Sequence, residues 1–432
     1  MRMRVSVFGV WCLVLGGRAG AQPTQTASGS SIAVRKIGAT VRTSAVTFGQ
    51  VQHLRRLSDG RVLVNDPGRH QVLLLDSTLA NPVVVIDSVG GHDNSYGTRA
   101  GGLLPYRGDS SLFADPVSSS LLLIDPSGKI TRVMSIRTNS VSYLTSPNAW
   151  GYPGYSDKFG LVYRTSGSGM KYPTQMPPEG APEVVIRGED SAIVVAMNVA
   201  TRNLDTLAKL SVGYGTVMKI SYNNVNQDDV GDLFPQPDDW AVMSDGSLAV
   251  FSGREYRVRW IDTSGAKSEG PRIPFTWKHN TDDEKQRLVD SINAQRDKNY
   301  QERLQSIQKA KDAAEKAATT GKPLPPNAPP PGMRTPPPPP KVDIAEIPDY
   351  MPAYERTTGS LRADADGNLW IRPRPVARNP VGTTYDVVNR KGELVDRVQL
   401  PSGRTLIGFG PGVAYLLVRD AGATRIEEVR IH

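Results

Sequence analysis

Charged residues with chemical potential recur at one place in this sequence, the ends of short β-prone runs. The run "SDGRVLVND" ends in Asp66, "RGDSSLFAD" in Asp115 and "GLVYR" in Arg164. "SDGSLAVFS" ends in Ser252 with Arg254 two residues on, "DADGNLWIR" in Arg372, and "GVAYLLVRD" carries Arg419. Four guanidiniums and two carboxylates at matching positions have two uses. The planar Arg fork can grip a carboxylate or phosphate. Alternatively, acid and base pair across neighbouring units and hold them together.

Other chemistry is thin. Five histidines (His53, His70, His92, His279, His432) show no HExxH spacing; His70 and His92 could meet on the loop face, but lone loop histidines are usually solvated. A metal-dependent hydrolase or lyase would have to use Asp66, Asp115 and His92. "DADGN" opens like a calcium loop, but Pro375 stands where the closing glutamate belongs, so a turn is the better reading. The serines of "SGSG" (166–169) lack a nucleophile-elbow context, and no phosphate-cradling glycine loop precedes a helix. No cofactor is called for. Cys12 is the only cysteine, and it sits in the N-terminal apolar run. Once that run is removed, the chain has no disulfide or thiolate chemistry.

The elements that must position these residues are hairpins. Asp-Gly is a two-residue hairpin signal because both central positions favour positive φ. Each signal is followed by a second β run ending in Asp and a polar turn. The spacing is 17 residues from Asp59 to Asp76 and again from Asp245 to Asp262, and 16 from Asp109 to Asp125. Four-stranded antiparallel units at roughly 40-residue spacing predict a β-propeller. Blades fall near 49–88, 101–137, 141–212, 238–274 and 356–400. The last stretch supplies only three strands, and the segment 31–43 ("SIAVRKIGATVRT") is the natural fourth, closing a six-bladed ring and removing an edge. A pair of β-sandwiches is the main alternative.

The phrase Asp364–Ile371 followed by "YDVVNRKGEL" resembles the blades of six-bladed propellers of the NHL-repeat and TolB-like kind. That resemblance implies the fold over most of the mature chain. It leaves function open, since such propellers serve as binding scaffolds, lyases and lactonases. The Glu, Asn and Asp metal ligands of the lactonase type find no matching positions here.

In a propeller the b–c and d–a loops open on one face, which places the Asp/Arg set around a common funnel. Long d–a connections add to it: "VGGHDNSYGTRAGG" with His92, "NAWGYPGYSDK" with Trp150, Tyr152 and Tyr155, and "YNNVNQDDVGD" with Tyr222 and Asp228. Between blades 4 and 5, residues 277–347 change character. Residues 282–317 read as a helix capped by Thr281, roughly 54 Å long, and 322–341 as polyproline II running roughly 60 Å. Two readings stand: the two go out and return as one arm above the same face, or the proline part is a disordered linker.

The first 21 residues carry Arg2 and Arg4, an apolar run from Val5 to Leu15 and "AGA", the pattern of a secretory leader, with 22–30 as a linker. The propeller then occupies 31–432. Of the formal charge of +8, three units (Arg2, Arg4, Arg18) belong to the leader, leaving +5. No basic run or recognition motif points to nucleic acid, and no later segment spans a bilayer. The expectation is an exported, periplasmic or extracellular propeller without a cofactor. It binds an anionic small molecule or a protein partner through Arg164, Arg254, Arg372 and Arg419, with Asp66, Asp115, His92 and Trp150 around them.

Overall fold

The computed structural model describes residues 32–432 apart from 89–94, 137, 148–150, 167–176, 179, 183, 188–190, 222–223, 232, 321–337, 377–380 and 421; of 138–139, 186–187, 214–231 and 318 it describes the backbone alone. The expected leader and linker lie outside the described residues.

The chain forms a six-bladed β-propeller. It opens with β1 (Val34–Lys36) and β2 (Thr40–Thr43). Blade 1 holds β3 (His53–Arg56), β4 (Val62–Asp66), β5 (Gln71–Leu75) and β6 (Val83–Ile86). Blade 2 holds β7 (Gly102–Pro105), β8 (Ser111–Asp115), β9 (Ser120–Ile124) and β10 (Ile130–Ser135). A helix, α1 (Thr138–Thr145), leads to β11 (Gly154–Ser156), β12 (Gly160–Ser166), β13 (Val184–Arg187), β14 (Ser191–Met197) and β15 (Leu204–Ser211). Blade 3 is β11-β12-β14-β15, while β13 leaves it to pair with β16 (Tyr214–Ser221), which pairs with β17 (Asn224–Gly231). "YNNVNQDDVGD" is therefore largely a strand of an added three-stranded sheet and not the open loop expected of it.

Blade 4 follows as β18 (Asp238–Val242), β19 (Leu248–Ser252), β20 (Arg257–Ile261) and β21 (Lys267–Glu269). After the long helix α2 (Asp282–Thr320) comes blade 5, β22 (Leu361–Ala363), β23 (Leu369–Ile371), β24 (Thr384–Val388) and β25 (Leu394–Gln399). Blade 6 is β26 (Arg404–Gly410), β27 (Val413–Asp420) and β28 (Ala423–Arg430), completed by β2, which pairs antiparallel with β28. The N-terminal strand thus closes the ring. Its neighbour β1 adds in parallel to β25, so consecutive strands bind the outer edges of blades 5 and 6.

The core lies between blades. Leu63, Val72 and Leu74 of blade 1 pack on Leu103, Phe113 and Leu122 of blade 2. Trp370, Tyr385 and Val387 of blade 5 pack on Leu406, Ala414 and Leu416 of blade 6. A blade is covered on both faces, which is why its middle strands read as unbroken apolar runs such as "VLLL" and "LLLI".

The repeated turns differ in one detail from the expected two-residue form. Met243 N donates to Ser247 O (2.8 Å) and Gly246 N to Met243 O (2.9 Å), and only the glycine has positive φ, +82°. This is a three-residue loop whose last member is left-handed. The c–d turns repeat the frame: the Asp125 carboxylate accepts from Ser127 N and Lys129 N, and Asp262 from Ser264 N and Ala266 N. In the matching turn of blade 1 the left-handed position is held by buried Leu79, at φ +61°.

The helix α2 begins with a capping box, Thr281 Oγ1 accepting from Glu284 N and Glu284 Oε2 from Thr281 N. Its first turns are docked. Val289 packs with Val342 and Ile347, beside Leu233 and Phe234. The returning chain runs antiparallel along it, with Arg296 Nη1 donating to Pro340 O (2.7 Å) and Val342 N to Asn293 Oδ1 (2.8 Å). Most of the expected polyproline segment falls outside the described residues.

Candidate functional site

The acids at the ends of the second strands serve the turns. Asp66 is fully buried, and its oxygens accept from Gly49 N (2.8 Å), Gln50 N (2.8 Å) and Arg69 N (3.2 Å). Asp115 accepts from Val117 N (2.9 Å), Ser118 N (3.1 Å) and Ser118 Oγ (2.5 Å). At the same place in blade 4, Ser252 Oγ accepts from Glu255 N (3.4 Å). Four residues after each cap stands a left-handed residue: His70, Ser119 and Tyr256. The position is a cap for the b–c turn, which favours a short side-chain acceptor. The expected opposition of these carboxylates to guanidiniums of neighbouring blades is replaced by these backbone bonds. The only described ion pair to Asp66 is with Arg69 of its own turn, at 4.0 Å.

Burial, with smaller contributions from the charges of Asp66 and Asp115, pushes the Tyr96 hydroxyl up to about 12. Tyr96 donates to Asn65 Oδ1 (2.9 Å) and stacks edge-on against His70 (5.3 Å). The metal reading would need His92 beside them, and His92 lies outside the described residues, as does Trp150. Among the described residues no three His, Cys, Asp or Glu side chains are grouped to hold a metal ion.

The four arginines have different fates. Arg164 is buried within β12 opposite Val194, two residues before the strand ends. Arg254 is exposed on the b–c turn of blade 4, and Arg419 is exposed near the end of β27, opposite Thr424. Arg372 follows β23, half-buried, and donates to Thr357 Oγ1.

Around Arg372 the structure forms a cleft of ≈ 630 Å³ between the b–c loop of blade 5, the outer strands and the base of the insert. Three guanidiniums line it, Arg372, Arg374 and Arg397, with Glu355 and Asp386. Arg397 Nε donates to Asp386 Oδ1 (3.0 Å), and Arg374 pairs with Glu355 (3.2 Å). Burial pushes the Asp386 carboxyl up and the Arg374 guanidinium down. Arg372 has no acidic partner among the described residues, so the cleft carries one uncompensated positive charge. Val34, Phe275, Val376 and Val381 give it an apolar wall.

A second cluster sits where the first strands of the blades converge. His53 opens β3 in blade 1, Tyr152 precedes β11 in blade 3 and Arg362 lies in β22 of blade 5. The Arg362 guanidinium stacks 3.5 Å from the Tyr152 ring centroid, and the His53 ring meets the Tyr152 ring edge-on at 5.8 Å. Three alternate blades are thus joined across the axis. Reading the ends of second strands could not find this cluster. The signal lies in the starts of first strands, where polar His53 and Arg362 interrupt positions a closed propeller needs apolar or paired.

Fold and face together define a six-bladed propeller with a guanidinium-rich loop face. No protein-family profile matches the sequence, and no curated protein is recognisably similar to it. Three solved structures are similar in fold. A member of the DUF4221 family from Bacteroides vulgatus is 9% identical, with 93% of this chain and 98% of that one covered and a TM-score of 0.46. An exported protein of Bacteroides fragilis is 7% identical, with coverage of 93% and 95% and a TM-score of 0.39. The calcium-binding protein regucalcin from Agrobacterium tumefaciens is 11% identical, with coverage of 92% and 98% and a TM-score of 0.33. Among the described residues no helix is long and apolar enough to cross a membrane.

Proposed function

We propose that this chain is an exported binding module of the NHL-repeat and TolB-like kind, whose loop face takes an anionic ligand or protein partner seated at Arg372. The single observation that supports this reading is the charge imbalance of the cleft: three guanidiniums against two carboxylates, with the Arg372 guanidinium bonded, among the described residues, only to a neutral hydroxyl. A volume of ≈ 630 Å³ is that of a small-molecule pocket, and its apolar wall with few converging polar groups fits that use. Export rests on the leader pattern of residues 1–21. The helical arm leaves from a d–a connection, so a partner held at the cleft would meet its base as well.

Calorimetric titration of the purified protein with citrate and with pyrophosphate tests this. Arg372→Ala should weaken whichever probe binds by about tenfold or more, the worth of a charge-assisted bond, at unchanged melting temperature. A fall of several degrees with unaltered affinity would make Arg372 a structural residue and remove the reading.

A further inference from the structure

His53 is 94% hidden from solvent by its surroundings, leaving 6% exposed, and neither ring nitrogen has a hydrogen-bond partner among the described residues. Buried polar atoms in folded proteins are almost always paired, with protein, water or ligand. An imidazole always offers something to pair: one N–H and one lone pair when neutral, two N–H groups when charged. The same holds next to it. The Nε–H of Arg362 is buried without a partner, although Nη2 donates to Ile407 O at 2.9 Å. The two groups share one neighbour, the Tyr152 ring, whose centroid lies 3.5 Å from the Arg362 guanidinium and 5.8 Å from the His53 ring.

The sign of the neighbourhood is also defined. Arg362 has no carboxylate partner among the described residues, and its charge is stacked on Tyr152. Other acids nearby are committed: Asp239 accepts from Tyr354 and Arg356 at the entry to blade 4. Tyr385, which feels both Arg362 and Arg372, spends its hydroxyl on Gly359 O (3.1 Å). A guanidinium facing a neutral donor, with no resident anion, has the composition of an oxyanion seat. Tyr152 and Arg362 are half-buried as residues, while the His53 ring nitrogens and Arg362 Nε are themselves buried.

We infer that the axial cluster of His53, Tyr152 and Arg362 binds a small oxyanion, a carboxylate or phosphate group, which accepts from Arg362 Nε and from the His53 ring. Tyr152 holds the guanidinium flat so that Nε–H faces the axis. This site is separate from the Arg372 cleft and does not depend on it.

The test is a titration of the ¹⁵N-histidine-labelled protein with sodium acetate and with inorganic phosphate, following the ring nitrogens, with His53 assigned by His53→Gln. One or both anions should shift the His53 nitrogens saturably, and Arg362→Gln should abolish that shift. Saturation by acetate alone assigns a carboxylate ligand, and saturation by phosphate alone a phosphate. Arg362→Lys, which keeps the charge and the ring contact but has no Nε–H fork, covers the case in which the glutamine variant does not fold; it should weaken the shift about tenfold or more. Arg372→Ala should leave the shift in place, which separates this result from that of the cleft. No saturable shift with either anion, or an equal shift in the Arg362 variants, overturns the inference.

Discussion

The Tyr256 hydroxyl donates a 2.8 Å hydrogen bond to the buried carboxylate of Asp386, which lies 130 residues further on and in the next blade. Arg397 completes the group from the other oxygen at 3.0 Å. A twin stands beside it, with Tyr354 bonded to Asp239 Oδ2 at 2.7 Å and Arg356 to Oδ1 at 3.4 Å. The ring of Phe251 meets both tyrosines edge-on, at 5.4 and 4.7 Å. Burial holds the Tyr256 and Tyr354 hydroxyls well above their ordinary range, each next to an acid. Both groups therefore keep their protons and act as donors, tying blades 4 and 5 where the long insert interrupts the chain.

Tyr256→Phe should cost about 1–3 kcal/mol, the penalty for leaving a buried acceptor short of a donor. The substitution isolates the hydroxyl, because Phe meets the same strain as Tyr at φ +51° and fills the same space. Urea unfolding of the two proteins measures it. A difference below about 0.5 kcal/mol would mean that Arg397 alone satisfies Asp386.

Asp66→Asn should destabilise by about 1.5–3 kcal/mol while leaving anion binding unchanged. The carboxylate accepts three backbone N–H groups, and the amide that replaces one oxygen would turn a donor toward donors. Denaturant midpoints alongside the citrate titration check both halves. Lost binding at full stability would return Asp66 to the ligand set.

The ring was legible because its turns are local. A five-residue frame needs Asp or Asn at one position and a left-handed residue at another, and the chain spells this out in nearly every blade. Closure by the N-terminal strand followed from arithmetic, since blade 6 lacked one strand. The sheet of β13, β16 and β17 was not legible: β17 is Asn- and Asp-rich and owes its pairing to context, and nothing local in β13 says that it leaves blade 3 to pair with β16. Counting to the ends of second strands led to Arg372, which lines the cleft, and equally to Asp66 and Asp115, whose oxygens accept from backbone N–H groups of the turns. His53 and Arg362 lie 309 positions apart, so the sequence marks each as a polar residue of a first strand but not that they meet across the axis.

Val289→Asp should release the base of the arm. Val289 is buried against Val342 and Ile347 on the returning chain, and a carboxylate there would have no partner to offset its burial. Limited proteolysis should then cut within α2 (Asp282–Thr320) at least several times faster than in the parent, with the β-sheet signal of the propeller unchanged. Equal cutting rates would show that the ladder of Asn280 with Asp349 and Lys278 with Met351 holds the arm without the apolar contact.

Burial first, and the charge of Arg362 second, pull the His53 imidazole down from its ordinary 6.5 to about 3. In the folded chain His53 is therefore neutral across the range where an unfolded histidine takes up a proton. The unfolded state binds more protons between those two values, so stability attached to His53 is fully present above about pH 6.5 and drains away as pH falls. The expected slope is about 1.4 kcal/mol per pH unit in that window. His53→Gln has no proton to gain. The stability difference between parent and variant should accordingly shrink from pH 6.5 to pH 5, a range in which most carboxylates remain ionised. Urea unfolding at pH 7, 6, 5.5 and 5, in chloride buffers without carboxylate or phosphate, reads it directly. A constant difference would place His53 in contact with solvent or with a partner that accepts its charge, and the neutral imidazole at the axis would be lost with it.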